Sequence, residues 1–274
     1  MNKALSVIIA FLVCILAIGF GYVYYDNKIT STIAEASDKY NNEQHSIEKE
    51  LADNEYRSAV DWINYRAYKN GDTGITMAVL GSSVTKGAGA STEEKNWNGL
   101  LQTYLEGRTS TQIILKNHGY GGYTTTRLLK EKKVDAIVKD KPDLVIFEIT
   151  TINNFDHGIS ASQTETESKE IYNKIRKALP NSLIIVQNSH EIEKLAYRNY
   201  DQYAYDDFNR KITDYAKTQN WNYVDVYDTY KSKVMQEGLN YKNLLSDGIH
   251  PNDNGYNIWF SILKSYFSNQ KIKQ

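Results

Sequence analysis

Residues 75–87 read Ile-Thr-Met-Ala-Val-Leu-Gly-Ser-Ser-Val-Thr-Lys-Gly. The first six form a short, nearly continuous apolar run, the pattern of a strand buried on both faces. The run breaks at Gly81 into small residues and closes at Gly87. Similar runs recur at Gln112–Lys116, Leu144–Ile149, Leu183–Gln187 and Tyr223–Val226. Amphipathic stretches separate them, near Asn96–Glu106, Thr125–Val138, Thr164–Ala178, Tyr205–Gln219 and Tyr256–Phe267. Strands alternating with helical segments predict βαβ units and a parallel sheet. Ligands of such sheets bind outside the carboxyl ends of the strands, so chemistry is sought there.

Composition narrows the classes. The chain has 274 residues, with 32 Lys+Arg against 33 Asp+Glu, for a formal net charge of -1. No cationic excess is available to neutralise phosphates, which argues against nucleic acid as the main partner. Hydrophobic residues make up 41%, enough for a buried core and too many for long disorder. The single cysteine, Cys14, excludes an internal disulfide and any multi-thiolate metal site. The length fits one moderate domain with an appendage, or two small domains.

The appendage lies at the N-terminus. Ala4 to Tyr25 is uncharged and apolar, about the 20 residues that cross a bilayer as one helix. Lys3 precedes the run, while the stretch after it carries Asp26, Glu35, Asp38 and Glu43 against Lys28 and Lys39. The expectation is a retained transmembrane anchor over residues 1–25, single-pass in the cell membrane, with the rest of the chain extracellular. The rival is a cleaved signal peptide, for which Gly-Phe-Gly-Tyr-Val-Tyr-Tyr is a poor cleavage site. Residues 26–70 are expected to be a helical stalk, since Ile29, Ile33, Tyr40, Ile47 and Leu51 recur at spacings of four and seven. Its second half is expected to pack as a first helix of the domain over 71–274.

Four strand-end segments hold candidate chemistry. Gly81-Ser82-Ser83 after the first strand can raise a serine hydroxyl above the sheet, but a hydroxyl needs an adjacent base; a plain small-residue loop is the competing reading. Gly119, Gly121 and Gly122 follow the second strand and offer amides to an anion, or only a flexible loop. Asn153 and Asn154 follow the third; an amide side chain can donate to a developing oxyanion or cap a helix. Asp247-Gly248-Ile249-His250-Pro251 near the C-terminus is the most specific string. A carboxylate three residues before a histidine can fix its tautomer and leave the other ring nitrogen free to take a proton.

Gly81 to Gly87, Gly122, Asn153 and Asp247 to Pro251 together resemble the four ordered blocks of SGNH hydrolases, the GDSL-type esterases and lipases, over roughly Ile75 to Phe267. The resemblance implies an α/β fold with a three-layer, doubly wound, flavodoxin-like five-stranded parallel sheet, and a serine esterase activity. It implies Ser83 as nucleophile, His250 as general base and Asp247 as its orienting carboxylate. The oxyanion donors it implies are the amides of Ser83 and Gly122 and the side chain of Asn153, with no metal and no cofactor. Two positions depart from the family pattern: Ser82 and Asn154 stand where the family usually has Asp.

Other residues are weighed by position. His190 ends the fourth predicted strand and, with Asn154, is a candidate to line the substrate. His118 and His157 read as loop residues and His45 as a solvated stalk residue. The tyrosine-rich segment from Ala196 to Phe208 is equally a rim over the site or a packed helix face. The leading expectation is hydrolysis of short acyl esters, acetyl above all, on an O-acylated glycan. One alternative is acetyl transfer to a cell-surface polysaccharide through the same triad; another is a catalytically idle glycan-binding domain.

Overall fold

The computed structural model describes residues 3–53, 58–71, 74–109, 111–192 and 204–273. The chain divides into two compact units, residues 1–55 and 56–274.

The first unit is one helix, α1 (Lys3–Asp53). The expected transmembrane anchor is corrected here: among the described residues, no helix is long and apolar enough to cross a membrane. The described side chains of α1 run from Ile9 and Phe11 through aliphatic residues to Tyr22, Tyr24 and Tyr25, and charge follows at Asp26 and Lys28. Gly19, Gly21, Tyr22, Tyr24 and Tyr25 lower the apolar character of its described stretch before Asp26. The expected single-pass placement with an extracellular domain is corrected on the same finding. His45 lies on a part of α1 whose side chains fall outside those described.

The second unit opens with α2 (Ala59–Lys69), started by a capping box in which Ser58 and Asp61 exchange side-chain and backbone hydrogen bonds. Its buried face carries Ala59, Val60, Trp62, Ile63 and Ala67. Asp143 ties it to the sheet by accepting from Arg66 Nε at 2.8 Å, Asn70 Nδ2 at 3.1 Å and the Thr76 amide at 3.0 Å. There follow β1 (Ile75–Gly81), α3 (Ser83–Lys86), α4 (Trp97–Thr109), β2 (Ile113–Gly119), α5 (Thr125–Lys130), α6 (Lys133–Asp140), β3 (Leu144–Glu148) and α7 (Thr151–Asp156). The chain continues through α8 (Ala161–Ala178), β4 (Leu183–Gln187), α9 (Tyr205–Thr218), β5 (Asn222–Val224), α10 (Val226–Gln236) and α11 (Asp253–Asn269).

The five strands form one parallel sheet in the order β2-β1-β3-β4-β5. Successive side chains of a strand point to opposite faces, and both faces are buried here. Ile75, Met77 and Val79 of β1, with Leu144 and Ile146 of β3, join the core under α2, α4 and α11. Ala78, Leu80, Val145 and Phe147 join the core under α5, α6, α8 and α9. This is the expected three-layer, doubly wound arrangement, and it explains why β1, β3 and β4 lack polar alternation.

Two local expectations shift. The helix expected over Thr125–Val138 is two helices. Between them Lys132 turns left-handed (φ 54°) and Glu131 folds back onto Arg127 Nε at 2.7 Å and Tyr123 OH at 2.5 Å. The strand expected over Tyr223–Val226 stops at Val224, because Asp225 caps α10 by accepting from the Asp228 amide and Asn188 Oδ1 accepts from the Val226 amide.

Candidate active site

The turn after β1 is set by what it must avoid. A Cβ on Gly81 would collide with Glu148 Oε2 and Thr85 Oγ1, so only glycine fits. Ser82 is extended and leads into the single turn of α3, of which Ser83 is the first residue. Gly87 ends that turn at φ +104°, a conformation that favours glycine. The Thr85 carbonyl accepts from the side-chain amides of Asn98 at 2.7 Å, Asn117 at 3.0 Å and Asn96 at 3.3 Å. Gly119 at the end of β2 lets the backbone of Lys86 pass directly over it. The turn is thereby pinned from three sides, and the half-buried Ser83 hydroxyl stands above the sheet.

The loop before α11 is built to present a histidine. Leu245 and Pro251 form an isolated antiparallel bridge, and the Ser246 amide donates to the His250 carbonyl at 2.8 Å. Asp247 Oδ1 accepts from the amides of His250 at 2.8 Å and Ile249 at 2.9 Å, which fixes the carboxylate. Its Oδ2 lies 2.7 Å from His250 Nδ1, and His250 Nε2 lies 2.9 Å from Ser83 Oγ. Burial pushes the Asp247 carboxyl up, but the hydrogen bonds from the His250 amide, the His250 ring and the Ile249 amide outweigh it and hold it at about 2. Asp247 is therefore ionised at neutral pH, as an imidazole-orienting group must be.

These residues border a cleft of about 560 Å³ lined by Ser83, Lys86, Gly122, Ile152, Asn153 and His250, among others. Gly122 is left-handed (φ +71°) with open space on its Cβ side, and a Cβ on Gly121 would touch that of Ser83. Asn153 stands in α7, and one of its side-chain N–H bonds is donated to the Tyr123 carbonyl at 2.9 Å. Its second N–H remains for a ligand in the cleft it borders. Such donors beside a serine hydroxyl can receive an oxyanion. A second hollow, of about 500 Å³, lies beside β5 and holds none of these groups.

Two expected substrate-lining residues are not brought to the cleft. Asn154 is fully buried; its Oδ1 accepts from the Thr125 amide, and its Nδ2 donates to Thr125 Oγ1 and Thr164 Oγ1. His190 is also fully buried, with its ring against Trp259 and Tyr230. Its Nε2 lies 2.8 Å from the Ile249 carbonyl, which can only accept, so Nε2 carries the proton. Burial lowers its pKa to about 3 and keeps it neutral. Both residues brace the loops that carry the site. Of the other histidines, His118 meets Asp140 at 2.5 Å through Nε2. Residues 196–203 of the tyrosine-rich segment lie outside the described residues.

One residue of the site escaped sequence reading. Glu148 ends β3 fully buried, directly beneath Ser82. Its signal was an acid closing the otherwise apolar run Leu-Val-Ile-Phe.

The family described as the GDSL-like Lipase/Acylhydrolase family matches residues 79–258. No curated protein matches the chain. Among solved structures, the chain is similar to a two-domain esterase active on acetylated mannans, with 18% identity and a TM-score of 0.59 over 78% of this chain and 54% of that one. It is similar to an acetylxylan esterase from Geobacillus stearothermophilus, solved as a catalytic mutant, with 17% identity and a TM-score of 0.57 over 73% and 97%. A member of the lipolytic G-D-S-L family from Veillonella parvula gives 15% identity and a TM-score of 0.52 over 70% and 97%. At these identities the likeness to solved structures is one of fold.

Proposed function

The chain belongs to the GDSL-like lipase/acylhydrolase family, and from that premise we propose that this serine esterase removes short acyl groups, acetyl above all, from an O-acylated carbohydrate. Ser83 Oγ attacks the ester carbonyl carbon while His250 Nε2 takes its proton. Asp247 steadies the imidazolium that forms. The carbonyl oxygen becomes an oxyanion, received by the amides of Ser83 and Gly122 and by the free N–H of Asn153. Collapse breaks the bond to the leaving alcohol, which departs with the proton from His250. Water then gives its proton to His250 and attacks the acyl-Ser83 carbonyl. Release of the acid restores the Ser83 hydroxyl.

The observation that carries this reading is the chain of contacts from Asp247 Oδ2 to His250 at 2.7 Å and from His250 to Ser83 Oγ at 2.9 Å. The carbohydrate substrate is supported by the acetylated mannans and acetylxylan in the descriptions of the similar structures. Transfer of the acyl group to a sugar hydroxyl would share every step but the last, and no observation here favours it. The test is acetate release from acetylated xylo- and manno-oligosaccharides, alongside p-nitrophenyl acetate and octanoate, with Ser83→Ala as control. Preferential release from acetylated sugars, abolished in Ser83→Ala, is expected. A preference for octanoate would overturn the substrate assignment, and activity surviving Ser83→Ala would overturn the nucleophile.

A further inference from the structure

A carboxylate buried among apolar strands needs a reason, because taking a charge out of water is costly unless hydrogen bonds replace hydration. Glu148 is fully buried. It follows Phe147, which faces the other core, so its side chain turns toward α11 and lies over Gly81 of the neighbouring strand. Its Oε2 accepts from the Ser82 amide at 2.7 Å, Ser82 Oγ at 2.9 Å and Thr85 Oγ1 at 2.8 Å; its Oε1 lies 3.1 Å from Ser82 Oγ. All of these donors belong to the turn that carries Ser83, on the residue before it and the residue two after it. No other buried acid touches that turn among the described residues.

We propose that Glu148 is a positioning residue for the reaction: from the end of β3, its carboxylate holds Ser82 and Thr85 and so fixes the height and direction of the Ser83 hydroxyl. The proposal rests on Ser83 being the nucleophile. It also accounts for the serine at position 82. Ser82 Oγ already touches both Glu148 oxygens, so a carboxylate on residue 82 would put two negative charges in one dry pocket. One acid suffices, and here β3 supplies it.

The surroundings are consistent with a single charge. Gln187 is the register neighbour of Glu148 on β4, and it accepts from Trp259 Nε1 at 3.0 Å. The titratable groups that feel the Glu148 charge from the packed helices are Tyr205 of α9 and Tyr256 of α11, both held neutral by burial. Among the described residues no cation contributes to its titration. Desolvation raises Glu148 to about 7 against the pull of the Ser82 and Thr85 hydrogen bonds, so the carboxylate is retained at a cost.

The experiment uses the full chain and p-nitrophenyl acetate at pH 8, with Ser83→Ala, Glu148→Gln, Glu148→Asp, Ser82→Asp and the Ser82→Asp/Glu148→Gln double variant. A nucleophile displaced by about an ångström loses roughly 100-fold in rate. Glu148→Gln is therefore expected to lower kcat by about 10- to 100-fold with KM within about twofold, and Glu148→Asp to lose less than Glu148→Gln. Ser82→Asp alone is expected to impair the enzyme, yet to raise kcat when added to Glu148→Gln, because it returns one carboxylate to the pocket. That reversal of sign is not expected of a residue that only fills space. Circular dichroism spectra at pH 8, matching across the set, verify that every variant is folded. Should Glu148→Gln misfold, Glu148→Asp and Ser82→Asp still decide: Ser82→Asp without effect on kcat overturns the proposal. So does Glu148→Gln keeping the wild-type kcat, or Ser82→Asp being equally harmful in both backgrounds, while Ser83→Ala is inactive. Activity surviving Ser83→Ala would instead remove the nucleophile reading and this proposal with it.

Discussion

Replacing Glu148 by glutamine removes a charge and almost no volume, so its effect on stability isolates the energetics of the buried carboxylate. In the folded chain desolvation raises the carboxyl from 4.5 to about 7. Unfolded, it titrates near its ordinary value. Between these two pH values the native state holds a proton that the unfolded state has released, so stability falls as pH rises. The loss begins near pH 4.5, is complete above pH 7, and amounts to about 3 kcal/mol at 1.36 kcal/mol per pH unit. Glu148 is fully buried, so solvent screening does not discount this figure. The amide of the Glu148→Gln variant has no proton to lose in this range. Urea unfolding followed by tryptophan fluorescence, with Trp97 and Trp259 both buried and stacked on one another, reads the difference at pH 4, 6 and 8. The two proteins should be close to equal at pH 4, and the variant should be the more stable by about 3 kcal/mol at pH 8. It should also be the less active there. Parallel stability curves from pH 4 to pH 8 would refute the reasoning, since they would mean that the carboxylate is not desolvated in the fold.

Further outcomes follow from the same geometry. Gly81→Ala places a methyl against Glu148 Oε2 and Thr85 Oγ1; overpacking of this kind costs about 1–3 kcal/mol, read as a lower urea midpoint, and the shifted turn should lose most activity. Asn153→Ala removes one oxyanion donor and should lower kcat by about 10²- to 10³-fold with KM nearly unchanged; equal kcat would take Asn153 out of the reaction. Asp247→Asn should lower kcat on the order of 10⁴-fold, with the loss persisting across pH. His190 is lowered from 6.5 to about 3 by burial, so the unfolded chain gains a proton that the folded chain refuses. Stability present above pH 6.5 should be lost as pH falls, by about 5 kcal/mol near pH 3, and His190→Phe should flatten that acid limb in urea titrations.

The sheet was legible because β1, β3 and β4 are buried on both faces, whereas the edge strand β2 is only partly buried. Met77, Val79, Ile146 and Ile185 on one side and Leu80, Phe147 and Val186 on the other leave no polar alternation to mislead. Residues 247–250 were legible because the Asp247 and His250 side chains meet within one tight loop, so sequence spacing and spatial contact coincide. Glu148 was not, since its partners Ser82 and Thr85 are brought to it only by the β1–β3 pairing. Likewise Asn154 and His190 sit at strand ends, as substrate-binding residues do, yet the packing of α8, α10 and α11 turns them inward. The N-terminal reading failed for another reason. Apolar length by itself suggested a span, whereas among the described residues no helix is long and apolar enough to cross a membrane, and glycines and tyrosines crowd the end of the apolar stretch of α1 at Gly19, Gly21, Tyr22, Tyr24 and Tyr25.

The central claim is that Ser83, and not its neighbour Ser82, forms the acyl-enzyme. A fluorophosphonate ester traps such a serine as a stable phosphonyl adduct, and peptide fragmentation by mass spectrometry resolves adjacent residues. The account predicts one adduct per chain, on Ser83, absent in Ser83→Ala and greatly slowed in His250→Ala. An adduct on Ser82, or no adduct on the folded wild-type chain, would contradict it.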